Sequence, residues 1–136
     1  MRAAAALRIT NQTLLAEVAN SDDHYQVRGA AVERLNDKTL LVKFIKSDEN
    51  EWVRLAAARA LNEQPFFEEI VKNCKDNFVR QNALGSITNK TILADFANND
   101  EEMVRQSAAA RLGDLNRKEQ ENNDKEKEKD TPQIDR

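Results

Sequence analysis

Apolar residues recur along this chain with two interleaved patterns. In one they fall at i, i+4 and i+8: Val27, Ala31, Leu35; Val53, Ala57, Leu61; Val79, Ala83, Ile87; and Val104, Ala108, Leu112. With Ala30 and Ala56 beside them these positions form a single stripe of helical period, whose small central alanines let neighbouring helices approach closely. The second pattern is a set of paired apolar residues: Leu14-Leu15 with Val18-Ala19, Leu40-Leu41 with Phe44-Ile45, Phe66-Phe67 with Ile70-Val71, and Ile92-Leu93 with Phe96-Ala97. It predicts a second, shorter helix after each stripe.

Polar breaks separate the two. Thr10-Asn11, Asn36-Asp37, Asn62-Glu63 and Thr88-Asn89 precede the second helices and offer side-chain acceptors for the free N–H groups of a helix start. Pro65 lies in the first turn after the third break, where its missing N–H does least harm. Ser21-Asp22, Ser47-Asp48, Asn73-Cys74 and Asn99-Asp100 precede the stripes, and Asp48 with Glu51 and Asn99 with Glu102 have the spacing of capping boxes. Tyr25, Trp52, Phe78 and Met103 stand just ahead of each valine and read as inter-helix packing.

The unit of helix, turn, helix, turn has a fixed period. Val27-Arg28 returns as Val53-Arg54, Val79-Arg80 and Val104-Arg105, with Met1-Arg2 in the place of an earlier copy, in steps of 26, 26, 26 and 25 residues. Such self-similarity is the mark of a stacked array whose units cannot bury their apolar faces alone. The motif of Asp, then Val-Arg, then Ala and Leu, as in Asp48, Val53-Arg54, Ala57, Leu61 and Asp100, Val104-Arg105, Ala108, Leu112, resembles HEAT and HEAT-like repeats over residues 1–116. The resemblance implies an all-α, right-handed superhelical solenoid of four to five units, starting at about 1, 27, 53, 79 and 104. Family units are usually longer. A neighbouring possibility is therefore the leucine-rich repeat variant, an alternating α and 3₁₀ solenoid, with first helices that are partly 3₁₀.

Beyond Leu115 the pattern stops. Residues 117–136 are charged, Ile134 alone is apolar between Asn116 and Arg136, and a mobile tail is expected because so little surface can offset the entropy of ordering. At the other end, a helix over Met1–Ile9 presents Ala3, Ala4, Ala5, Ala6 and Leu7 with no preceding helix to cover them. The expectation is a piece of a longer array, or an end that meets a partner or a second copy.

Composition narrows the function. The 136 residues are 40 % hydrophobic and 33 % charged, with 3 Gly and 2 Pro, which suits a helix-rich single domain. Charge is nearly balanced, 21 Lys and Arg against 24 Asp and Glu, so no basic stripe favours nucleic acid or an anionic membrane. No apolar run approaches the ~20 residues that span a bilayer, and Cys74 has no internal disulfide partner, so a cytoplasmic protein is expected.

Little in the chain points to catalysis. His24 is the only histidine, Cys74 the only thiol, and no Gly-rich phosphate loop or nucleophile elbow occurs; no metal or cofactor is expected. The arginine column Arg2, Arg28, Arg54, Arg80 and Arg105 could grip phosphates or carboxylates. The HEAT-like resemblance implies instead a structural ladder to the loop aspartates Asp22, Asp48 and Asp100. A partial column, Arg8, Arg34 and Arg111, lies near the stripe with stems across it, and Ala60 and Ser86 replace it in the middle units.

What remains is surface. Residues two and six after each valine lie opposite the stripe, and of these Leu55 and Arg59 are the candidate contacts, flanked by Glu33, Gln81 and Gln106. The function expected is a non-catalytic scaffold or adaptor that binds a protein partner on the concave helix face. Two alternatives stand beside it: a nucleic-acid-binding module with a groove like that of HEAT-like DNA glycosylases, and a non-catalytic subunit of an enzyme similar to the phycobilisome lyases.

Overall fold

A computed structural model describes residues 11–130, and eight α-helices hold most of them: α1 Gln12–Ser21, α2 Tyr25–Val32, α3 Lys38–Ser47, α4 Glu51–Leu61, α5 Gln64–Asn73, α6 Asn77–Ser86, α7 Lys90–Phe96 and α8 Glu102–Asp130. No strand occurs among the described residues. The expected Met1–Ile9 helix, Arg2, Arg8, Thr10 and residues 131–136 lie outside them.

The chain divides into two compact units, one through Ile87 and one from Thr88. In the first unit α1 packs on α2, α3 on α4, and α5 on α6, while α2 packs on α4 and α4 on α6. The stripe makes these seams. Val27, Val53 and Val79 are buried, as are Ala31, Ala57 and Ala83, and the column closes on Leu35 and Ile87, with Leu61 half-buried. The partner helices contribute the second member of each apolar pair, Leu15, Leu41 and Phe67, together with Ala19, Phe44, Ile45, Ile70 and Val71. In the second unit α7 packs on α8 through a smaller core of Leu93, Phe96, Val104 and Ala108.

Helix starts follow the polar breaks. Asn11 accepts from the N–H groups of Thr13 and Leu14, Asp37 from Leu40, Asp76 from Phe78 and Val79, and Asn89 from Thr91 and Ile92. These bonds satisfy donors that a helix start leaves free. The capping boxes expected at Asp48/Glu51 and Asn99/Glu102 take another form. Asn50 caps α4 through Trp52 and Val53, which frees Glu51 to accept from the N–H groups of Lys75 and Asp76 at 2.6 and 2.8 Å. Asn99 accepts from Glu101 N–H at 2.8 Å. At the far end of α4, Asn62 sits in the left-handed region at φ 54° and closes the helix, as asparagine can with modest strain.

Two further expectations meet a different structure. The first helices α2, α4 and α6 are α rather than 3₁₀, with 8, 11 and 10 residues. The segment read as a charged tail continues α8 from Leu115 to Asp130, with its side chains from Asn116 to Lys129 exposed. Local pairs support that helix, Arg117 with Asp114 and Gln120 Nε2 with Asp124 Oδ1 at 3.0 Å, and Lys90 of α7 meets Glu119 across the two helices.

Candidate interaction surfaces

The repeated arginine sits near the N-terminal end of each stripe helix, and Arg28, Arg54 and Arg105 there donate to carbonyls of the preceding loop. Arg28 lies buried in α2. Its Nη1 donates to the carbonyls of Asp22 and Asp23 at 3.1 and 3.2 Å, and its Nε and Nη2 grip both carboxylate oxygens of Asp48 at 3.2 Å. Hydrogen bonding to Asp48 raises the guanidinium pKa above its ordinary value, against the lowering effect of burial, and the charges of Asp48, Glu49 and Asp22 add to the rise. Arg54 donates to the Asp48 carbonyl at 2.6 Å, and Arg105 to the carbonyls of Asn99 and Asp100 at 3.2 and 3.4 Å. Arg80 is buried and reaches Val71 O at 2.9 Å and Asn77 Oδ1 at 3.4 Å.

Loop carbonyls thus receive Arg28, Arg54 and Arg105, and the carboxylate of Asp48 receives Arg28. Asp22 and Asp100 take part through their backbone oxygens in these bonds. The Asp22 carboxylate meanwhile accepts from His24 N–H at 2.8 Å. Where the third copy of the sequence pattern has Cys74 in place of the aspartate, the thiol is buried; its pKa is raised chiefly by desolvation and next by the Glu51 charge, with Arg54 pulling the other way.

The predicted contact residues separate. Leu55 is 1 % exposed, so it offers nothing to a partner. The reason is its helix: α4 packs against α2, α3, α5 and α6, and Val53 and Leu55–Ala58 are all buried there. Arg59 is exposed and donates to Asn82 Oδ1 of α6 at 3.0 Å. With Gln81, Gly85 and Ser86 these two line an open depression of about 340 Å³. Glu33 and Gln106 are exposed but lie outside it. The structure therefore joins Arg59 to Gln81 and leaves the other three candidates apart.

A different surface escaped the pattern. Tyr25 and Trp52 are each 40 % exposed and Phe78 is 70 % exposed, although the sequence assigned them to packing. Each occupies the first turn of its stripe helix, ahead of the valine and off the i, i+4 column, and that offset was the available signal. The N-terminal ends of α2, α4 and α6 lie side by side, because Arg28 reaches the loop before α4 and Glu51 the loop before α6. Trp52 and Phe78 take the same place, one residue ahead of their valine, whereas Tyr25 stands two ahead, where α4 has Glu51 and α6 has Asn77. The first unit also holds a polar cleft of about 390 Å³, lined by Arg28 and Lys43 and by Asp22, Asp23, Asp48 and Glu49 among others.

No protein-family model, curated protein or solved structure matches the chain. Its surfaces must speak for it. Among the described residues no group of three His, Cys, Asp or Glu side chains could hold a metal, and no helix is long and apolar enough to cross a membrane.

Proposed function

We propose that this chain is a non-catalytic protein-interaction module, built as a right-handed solenoid of short HEAT-like units. The packing order of α2, α4 and α6 supports the stacked arrangement, since each stripe helix meets the next one in the series. The reading rests above all on the exposure of Tyr25, Trp52 and Phe78. Aromatic side chains left in water are the residue types that dominate binding energy when a partner covers them. The partner face is therefore centred on Trp52 and Phe78, in place of one centred on Leu55 and Arg59.

The test is capture of partners from an extract of the native host, with and without nuclease. The intact chain is compared with a Trp52→Ala, Phe78→Ala double variant and with Arg59→Glu. Protein partners that survive nuclease and vanish with the double variant support the face at Trp52 and Phe78. Loss only with Arg59→Glu moves the contact to the Arg59–Gln81 depression. Recovery of nucleic acid, or of partners held only through it, overturns the reading.

A further inference from the structure

The face at Trp52 and Phe78 continues along α4 and α6 toward a free cation. These two helices run parallel and are tied at two levels. Where they begin, Glu51 accepts from the N–H groups of Lys75 and Asp76 at 2.6 and 2.8 Å; further along, Arg59 Nη2 donates to Asn82 Oδ1 at 3.0 Å. On α4, Trp52 lies seven residues before Arg59, about two turns, and on α6 Phe78 lies four residues before Asn82, about one turn. Both rings therefore stand on the side of the helix pair that carries the Arg59–Asn82 bond. Asn82 Nδ2 donates to the Phe78 carbonyl at 2.7 Å, which orients the amide that receives Arg59.

The free charge on this side has one sign. Glu51 is the only acid within α4 and α6, and backbone N–H groups take both its carboxylate oxygens, while the Asp76 carboxylate caps α6 through Phe78 and Val79. Arg54 and Arg80 are turned to the carbonyls of Asp48 and Val71. Arg59 is exposed, has a neutral amide as its partner and forms no ion pair among the described residues. No acid lines the depression that it shares with Gln81, Asn82, Gly85 and Ser86. A guanidinium so placed suits a carboxylate, which its planar fork can grip with two parallel N–H bonds. A nucleic-acid strand needs a run of cations along its backbone, and α4 and α6 offer a single free one.

Resting on the interaction-module reading, we propose that this face docks an acidic polypeptide segment, with a carboxylate on Arg59 and apolar side chains on Trp52 and Phe78. Two turns of α4 span about 10 Å, so the acid stands about three residues from the apolar pair along an extended chain.

The probe is an end-blocked peptide, Asp-Ser-Gly-Leu-Leu-Gly-Ser-Asp, which presents an acid on either side of its leucines. Calorimetry with the full chain should show saturable binding, and the emission of Trp52, the only tryptophan, should shift with it. Arg59→Gln and the Trp52→Ala, Phe78→Ala pair should each weaken binding about tenfold. Gly85 allows a test that removes no side chain: it lines the depression, and a Cβ added there meets nothing within 4 Å. Gly85→Glu should therefore match that loss by answering Arg59 from within, Gly85→Lys should tighten binding, and both should melt no earlier than the native chain. The proposal is overturned by equal binding of an asparagine-for-aspartate peptide, by affinity indifferent to Arg59→Gln or Gly85→Glu, or by no binding at millimolar peptide. If, in the extract, the Trp52→Ala, Phe78→Ala variant loses its protein partner while Gly85→Glu keeps it, the acidic occupant falls and the interaction module stands. A single-stranded oligonucleotide that displaces the peptide and binds more tightly overturns both.

Discussion

Replacing Leu55 by alanine tests the inward placement of a residue whose sequence position pointed outward. Leu55 and Gln81 are equivalent, each two residues after its valine, yet one is 1 % exposed and the other exposed. Truncating a fully buried leucine removes its transfer energy and leaves a void, with a cost of about 2–5 kcal/mol. Its neighbours Ala56, Ala57 and Ala58 are buried and have no length with which to fill the space, so about 3 kcal/mol is expected. At roughly 4 °C per kcal/mol for a domain of this size, the melting midpoint should fall by about 12 °C. Helicity at 222 nm follows the melt, and Trp52 fluorescence reports on α4 itself, so uncoupled melting of single units would be seen. Gln81→Ala is the control and should stay within about 0.5 kcal/mol. A loss below 1 kcal/mol for Leu55→Ala, or equal losses at both positions, would refute the packing of α4 described above.

Three more outcomes follow from the same structure. Asp48→Ala strands the buried Arg28 and should cost about 3–5 kcal/mol in urea unfolding, whereas Arg28→Met with Asp48→Leu should recover most of it; equal losses would show that the pair contributes by attraction alone. The raised Cys74 pKa makes its stabilising contribution complete below the unfolded value of ~8.5 and lost as pH rises through the folded value. The urea midpoint should therefore fall between pH 8 and pH 10 more for the native chain than for Cys74→Ala, and parallel falls would contradict the burial. Deleting residues 121–136 removes exposed helix beyond the Lys90–Glu119 pair and should shift the melting midpoint by less than ~2 °C while lowering helical content; a large shift would show that this segment packs.

The helices and most of their buried faces were legible because both depend on local spacing. Val27, Val53 and Val79 and the alanines four residues on mark the buried column without reference to any distant residue. The candidate surface was harder to read. Leu55 looked exposed on a single helix drawn alone, and its burial comes from the four helices that surround α4, information no helical wheel contains. Trp52 and Phe78 looked buried because large aromatics usually are, but the first turn of a helix at an unpaired edge lies beyond its neighbours. Glu51 had the spacing of a capping box, and the nearby Asn50 won the cap, leaving Glu51 for the next loop. Helix continuation past Leu115 depends on many pairs of small energy, which composition alone does not resolve.

The joints between every second helix differ in their chemistry. Gln12 of α1 bridges to Arg34 O and Asn36 N–H ahead of α3, and Lys38 of α3 meets Glu63 at the start of α5. Arg28 grips Asp48 between α2 and α4, while Glu51 binds two backbone N–H groups between α4 and α6. An amide, a surface ion pair, a buried ion pair and a carboxylate on bare backbone are not substitutes for one another. The modules of this chain are consequently ordered rather than interchangeable: shuffling or duplicating one of them would place the wrong connector at both its borders, so lengthening such an array requires copying blocks together with their neighbours' joints.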